Sequence, residues 1–215
     1  MNKFIVLEGL DGCGKTTQLE KLCERLSEDG REFKRIKLPD YNGVSSGVIK
    51  QYLAGEFKDI TPYASSLLYT VDRIASYESV WRRDYEDGVL IVADRYTSSN
   101  IIFQMTKLPR DEWSYYIKWL TNLEFNQAGL PAPDKVIFLD MPVEVSQRLM
   151  SERYNGDESK KDIHESNIEY LEQCREAALY AAEALNWTVI TCAKNGKPLS
   201  IEEINDKIYD AVSEV

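Results

Sequence analysis

Gly9, Gly14, Lys15 and Thr16 complete the pattern G-x-x-x-x-G-K-[ST] within the stretch LEGLDGCGKTT. The chemistry served by this spacing is phosphate binding: glycines let the backbone bend so that successive N–H groups converge on an anion with no Cβ between them. Lys15 is expected to reach the β and γ phosphates of a nucleotide, and the Thr16 hydroxyl to take a place on Mg²⁺. A second group closes the continuous apolar run Val89 to Ala93, which ends in Asp94-Arg95-Tyr96. Such a run marks a strand buried on both faces. Ligands of doubly wound sheets bind beyond the carboxyl ends of the strands, so Asp94 is a natural Mg²⁺ partner, directly or through water. The bland alternative is an ion pair between Asp94 and Arg95.

The elements that position these residues follow from periodicity. Phe4 to Leu7 forms the strand before the loop, and residues 15 to 28 form a helix with Leu19, Leu22, Cys23 and Leu26 on one face. The free N–H groups and dipole of that helix face the same anion as the loop. A strand from Glu32 to Leu38 is stopped by Pro39, and loop residues 40 to 47 lead to a short helix ending near Leu53. Residues 62 to 85 are helical by the stripe Leu67, Leu68, Val71, Ile74, Ala75 and Val80. Tyr69, Asp72, Arg73 and Ser76 share another face of that helix, and taken alone such a polar face reads as solvated.

Residues 111 to 126 form a bulky amphipathic helix suited to core or subunit contact. Lys135 to Asp140 is a buried strand, and Pro142 opens a helix. Residues 154 to 162 lack apolar periodicity and read as a mobile loop, with His164, the single histidine, as a surface residue at its edge. A helix from Ser166 to Leu185, a strand from Thr188 to Cys192 and a helix capped by Ser200 and Glu203 complete the chain. Alternating strands and helices imply an α/β fold, a parallel sheet covered on both faces.

The length of 215 residues suits one domain, 1–215, with an inserted lid at about 148–165. A formal net charge of −10 argues against general affinity for a nucleic-acid backbone, which a basic surface would serve. The four cysteines show no C-x-x-C pair and no zinc spacing. Cys23 and Cys174 sit on apolar helix faces as small core residues. Cys13, inside the loop, is a candidate for an exposed thiol, although nothing nearby suggests a nucleophile's general base. A reducing cytoplasm is the simplest setting. No apolar run approaches the roughly 20 residues needed to span a bilayer, so no membrane association is expected.

Four stretches in order resemble the thymidylate kinases, nucleoside monophosphate kinases acting on dTMP: LEGLDGCGKTT with its Asp11, LYTVDRIAS, DRYTSSNIIFQ and PDKVIFLDMPVEVSQR. The resemblance covers nearly the whole chain. It implies a P-loop NTPase-type three-layer sandwich, a central parallel five-stranded sheet with helices on both faces and a small lid. It implies phosphoryl transfer from ATP to dTMP with Mg²⁺, in a homodimer.

Residue by residue, the resemblance gives ATP to Gly9, Leu10, Asp11, Gly12, Cys13, Gly14, Lys15, Thr16, Thr17 and Arg148. Asp11 would bond the sugar 3′-hydroxyl of dTMP or approach the metal. Tyr69 would stack on thymine, Arg73 would donate to a thymine carbonyl and Asn100 would bond the base edge. The helix face that reads as solvated thereby becomes the wall of a base pocket. Arg95 and Tyr41 would grip the monophosphate, Phe103 would crowd the 2′ position, and Ser99 and Gln104 would lie nearby. Glu165 would sit near the sugar or metal. Lys15, Asp94, Arg95 and Arg153 form the implied catalytic set, with Thr16 and Asp94 serving the metal.

Two departures stand out. Leu38-Pro39 replaces the usual Phe-Pro, and Gly12-Cys13 occupies the place where some members carry a loop arginine. Transition-state charge is then expected from the lid, from Arg153 first and from Lys160 or Lys161 otherwise. The rival readings are a kinase for another monophosphate or a deoxynucleoside, and a nucleotide-dependent switch. The switch would need a guanine-reading N-K-x-D, which the chain lacks.

Overall fold

The computed structural model describes residues 3–57, 59–153 and 167–214. In chain order the elements begin with β1 (Phe4–Gly9), α1 (Lys15–Glu28), β2 (Phe33–Lys37), α2 (Ser46–Leu53), α3 (Pro62–Ser76), α4 (Arg82–Glu86), β3 (Leu90–Asp94) and α5 (Thr97–Met105). They continue with α6 (Trp113–Thr121), β4 (Lys135–Asp140), α7 (Val143–Arg153), α8 (Ile168–Leu185), β5 (Thr188–Thr191), β6 (Ala193–Lys194), β7 (Lys197–Pro198) and α9 (Ile201–Ser213). The first five strands make one parallel sheet in the order β2-β3-β1-β4-β5. The fold is α/β.

Burial follows sheet position. The inner strands β1 and β3 are buried along their whole length, and β4 is buried from its second residue. The edge strands β2 and β5 are partly exposed, so their sequences carry Lys, Arg and Thr between the apolar residues.

The chain forms two compact units. One comprises Glu32–Asp134 with the first half of β1, the other Leu7–Arg31 with the residues from Lys135 onward. In the first unit β2 runs in register with β3 from Phe33 beside Leu90 to Lys37 beside Asp94. The Leu38 N–H extends the ladder to the Asp94 carbonyl at 3.0 Å. Its aromatic core sets Phe4 4.8 Å from Tyr96 and 5.2 Å from Trp81, ring centre to ring centre. In the second unit α1 and α9 are joined through the buried Asn205, whose amide donates to the backbone and side-chain oxygens of Gln18, each at 3.1 Å. The predicted capping box between Ser200 and Glu203 is present.

Helix α1 keeps its expected bounds and α8 is continuous, but two of the three long predicted helices are interrupted. Residues 62 to 85 contain a π-helical turn, Tyr77–Trp81, between α3 and α4. Residues 111 to 126 enter through a 3₁₀ turn at Arg110–Glu112 and leave through a π-helical turn, Asn122–Gln127. Helix α5 was not anticipated from periodicity, because its first half, TSSN, is polar yet largely buried. The β6–β7 hairpin turns on Asn195-Gly196, both with positive φ, 52° and 71°. That dipeptide is a hairpin signal in its own right.

Candidate active site

The phosphate loop leaves β1 at Gly9 and enters α1 through Gly14. Gly12 and Gly14 adopt φ of 75° and 86°, values that side-chain-bearing residues resist. Close approach adds a second demand at Gly12, where a Cβ would lie 2.7 Å from Met150 Cγ and 3.0 Å from the Ser146 carbonyl. At Gly9 a Cβ would meet Cys13 Sγ at 2.5 Å. The loop is thus seated directly against α7. The N-terminus of α1 has no side-chain cap and no acidic residue in its first turn, which leaves its N–H groups suited to an anion. Thr16 and Thr17 are exposed there, and Leu10 is buried beneath the loop.

Cys13 corrects one expectation: it is 2% exposed, so it is no surface thiol. The loop closes over it through Cys13 N–H to the Leu10 carbonyl, and its sulfur fills the space that Gly9 leaves open. Burial, with Cys13 close by, pushes the Cys192 thiol up to about 12. Arg148 donates from Nη2 to the Gly196 carbonyl at 2.9 Å, which ties α7 to the β6–β7 hairpin.

The other unit gathers most of the residues given to the acceptor. Tyr69 is raised well above an ordinary phenol by burial first and then by Tyr52 and Tyr41, while Arg73 and Arg95 act in the opposite direction. Tyr41, Tyr69, Arg73 and Arg95 therefore share one electrostatic neighbourhood. Arg95 has φ 72°, a strained value of the kind found at functional sites. Its guanidinium lies over the Phe103 ring at 5.1 Å and reaches Ser99 Oγ at 3.4 Å. Asn100 donates from Nδ2 to the Ser66 carbonyl at 3.2 Å. Gln104 Oε1 accepts from Ser65 at 2.9 Å and from Lys107 at 2.9 Å. Asp94 is buried at the end of β3, with Lys37 Nζ 3.9 Å away.

The polar face of α3 is buried, contrary to its reading from pattern alone: Asp72, Arg73 and Ser76 are 1%, 3% and 7% exposed. Leu67 and Val71, on the apolar stripe, are 44% and 58% exposed. The inversion is possible because each polar group has a distant partner. Asp72 accepts from the Asp40 N–H and from the Ser45 hydroxyl, and Arg73 forms a fork with Glu124. Glu124 escaped the sequence reading, since a single acid in an amphipathic helix carries no pattern. The other residue missed was Asp72 in its role as anchor of the 40–45 loop.

Arg153 ends α7, and its side chain lies outside the described residues. Glu165, Lys160, Lys161 and His164, with the rest of 154–165, also lie outside them, whereas residues 148–153 of the expected lid belong to α7.

Among the described residues no group of three or more His, Cys, Asp or Glu side chains could hold a metal ion. Thr16 and Asp94, taken separately, each carry a hard oxygen of the type that Mg²⁺ prefers.

A loop built for a phosphate tail, at the end of the first strand of this parallel sheet, places the protein in the class of P-loop nucleotide-binding proteins. Residues 7–208 match the thymidylate kinase family. The chain is 29% identical over 207 residues to the thymidylate kinase of Danio rerio, covering 96% of this chain and 88% of that one. It is 29% identical over 220 residues to a probable thymidylate kinase of Thermococcus gammatolerans, with 100% and 97% covered. It is 30% identical over 185 residues to probable thymidylate kinase 1 of Saccharolobus solfataricus, with 86% and 89% covered. The chain belongs to the thymidylate kinase family, enzymes that transfer a phosphoryl group from ATP to dTMP, giving dTDP. No described helix is long and apolar enough to cross a membrane.

Proposed function

We propose that the chain makes dTDP with one kinase domain whose phosphate loop holds ATP and whose α3–α5 cluster holds dTMP. The observation that carries this division of labour is the shared neighbourhood of Tyr69, Tyr41, Arg73 and Arg95. The Tyr69 phenol is neutral at physiological pH, as any phenol is, and meets a planar base as an uncharged ring. Arg73 donates to a base carbonyl and Asn100 bonds the base edge. Arg95, steadied by the Phe103 ring, grips the monophosphate with Tyr41, and the same ring crowds a 2′-hydroxyl.

The acceptor oxygen of a monophosphate is already anionic at neutral pH, so the reaction demands no general base. The chain's work is positioning and charge stabilisation. Lys15 and the loop N–H groups hold the donor phosphates, with Thr16 and Asp94 as the protein's contribution to Mg²⁺. That ion, when bound, neutralises charge on the transferring phosphoryl group. Arg153 supplies lid charge where the loop has Gly12 and Cys13, Arg148 serves ATP, and Glu165 serves the sugar or metal. The protein acts in the cytoplasm as a homodimer, and the exposed Leu67 and Val71 of α3 offer an apolar face for the second copy.

The test is ADP release with ATP and Mg²⁺ over dTMP, dUMP, dCMP, dGMP, thymidine and no acceptor. Turnover is expected to be strongest with dTMP and negligible without acceptor. Turnover of thymidine but not dTMP would overturn the phosphate roles of Arg95 and Tyr41.

A further inference from the structure

Glu124 is a carboxylate with no solvent exposure, placed by the π-helical turn that follows α6. Each of its oxygens accepts from two donors. Oε1 takes the Thr70 hydroxyl at 2.7 Å and Arg73 Nη2, and Oε2 takes Arg73 Nε at 2.8 Å and the Thr97 hydroxyl. A buried ion pair is often no more stabilising than apolar side chains of the same volume. Stability alone therefore does not account for a charge at this position. Four bonds to one carboxylate do account for orientation, because the fork fixes the plane of the guanidinium.

The fork commits the Nε and Nη2 edge of Arg73 to Glu124. Nη1 makes no hydrogen bond among the described residues, and a guanidinium can only donate. Asn100 is constrained in a complementary sense. One N–H of its Nδ2 donates to the Ser66 carbonyl, which orients the amide, and its Oδ1 is the atom that can accept. With both on one base, the pairing of an Arg73 donor with an Asn100 acceptor matches a pyrimidine with a carbonyl at C4 and a proton on N3. It mismatches an amino-pyrimidine, which presents a donor and an acceptor in the opposite order.

We infer that Glu124 is a positioning residue that holds Arg73 in its donor orientation and thereby sets the preference for keto-pyrimidine over amino-pyrimidine monophosphates. The inference rests on the proposed reading of Arg73 as the group that meets the base. Thr70 and Thr97 take part by holding the carboxylate from α3 and α5.

Glu124→Asp keeps the charge and withdraws it by one methylene. The expected result is a KM for dTMP raised about tenfold or more, the cost of one misplaced charged hydrogen bond. The dTMP to dCMP ratio of kcat/KM should fall by a similar factor, with the KM for ATP and the saturated kcat within about twofold of wild type. A merely structural role would lower the active fraction for all acceptors alike, and an unchanged ratio overturns the inference. Thr97→Val removes one anchor without touching the charge and decides the matter if Glu124→Asp does not fold. It should lower the same ratio about twofold to fivefold, and no change overturns the inference. Arg73→Ala separates the two levels. If it leaves the ratio and the dTMP KM unchanged, the base-reading role itself is wrong; if it alters them while both other variants do not, only the role of Glu124 is wrong.

Discussion

The Asp72 carboxylate on α3 accepts the backbone N–H of Asp40 at 2.9 Å and, through its other oxygen, the Ser45 hydroxyl at 2.5 Å. One buried side chain thus anchors both ends of the loop that carries Tyr41. Asp72→Ala should free that loop and raise the KM for dTMP about tenfold, while the KM for ATP stays near its wild-type value. Steady-state kinetics with each substrate varied in turn checks this. An equal rise in both constants would mean that the carboxylate serves general stability rather than the acceptor.

The cation–π contact of Arg95 with Phe103 makes two demands on one ring. Phe103→Leu removes the support for the guanidinium, a loss of about 0.5–2 kcal/mol, and opens space beside the sugar. The expected outcome is weaker dTMP binding together with a reduced preference for dTMP over its ribose counterpart. Comparing kcat/KM for the two acceptors tests the second effect independently of the first.

Gly12 has a positive φ and no room for a Cβ beside Met150 and Ser146. Gly12→Ala should strain the phosphate loop by about 1–2 kcal/mol and raise the KM for ATP roughly tenfold or more. Binding of dTMP alone, followed by calorimetry, should be unaffected. Loss of dTMP affinity as well would show that the strain is not confined to the loop.

The Cys192 thiol is raised from its ordinary 9.0 to about 12. An acid whose folded pKa exceeds its unfolded one binds more protons folded than unfolded between the two values. Its contribution to stability is therefore full below about pH 8.5 and is lost as pH rises toward the folded value, by up to about 1.4 kcal/mol per pH unit. Cys192→Ala should lose stability less steeply between pH 9 and pH 10.5 than the wild type. Denaturant midpoints across that range measure the difference, and parallel curves would contradict the assignment.

For the homodimer, Val71→Glu places a charge on the exposed apolar face of α3. Light scattering should find a dimer for the wild type and a monomer for the variant. A wild-type monomer at micromolar concentration would remove the dimer from the proposal.

The sequence by itself determined what depends on neighbours in the chain. The phosphate loop, the bounds of α1, the Ser200–Glu203 cap and the buried inner strands are set by spacing, turn chemistry and apolar runs within a few residues. The parallel sheet follows from their alternation. Tertiary structure decided which face of α3 turns inward, because its polar residues are satisfied by Asp40, Ser45 and Glu124, the last of them 51 positions from Arg73. It also decided that Cys13 is buried, that α5 is a helix despite its polar start, and that two π-helical turns interrupt the predicted helices. For α3 the polar groups find their partners across the fold, and no local period records a partner that lies so far along the chain.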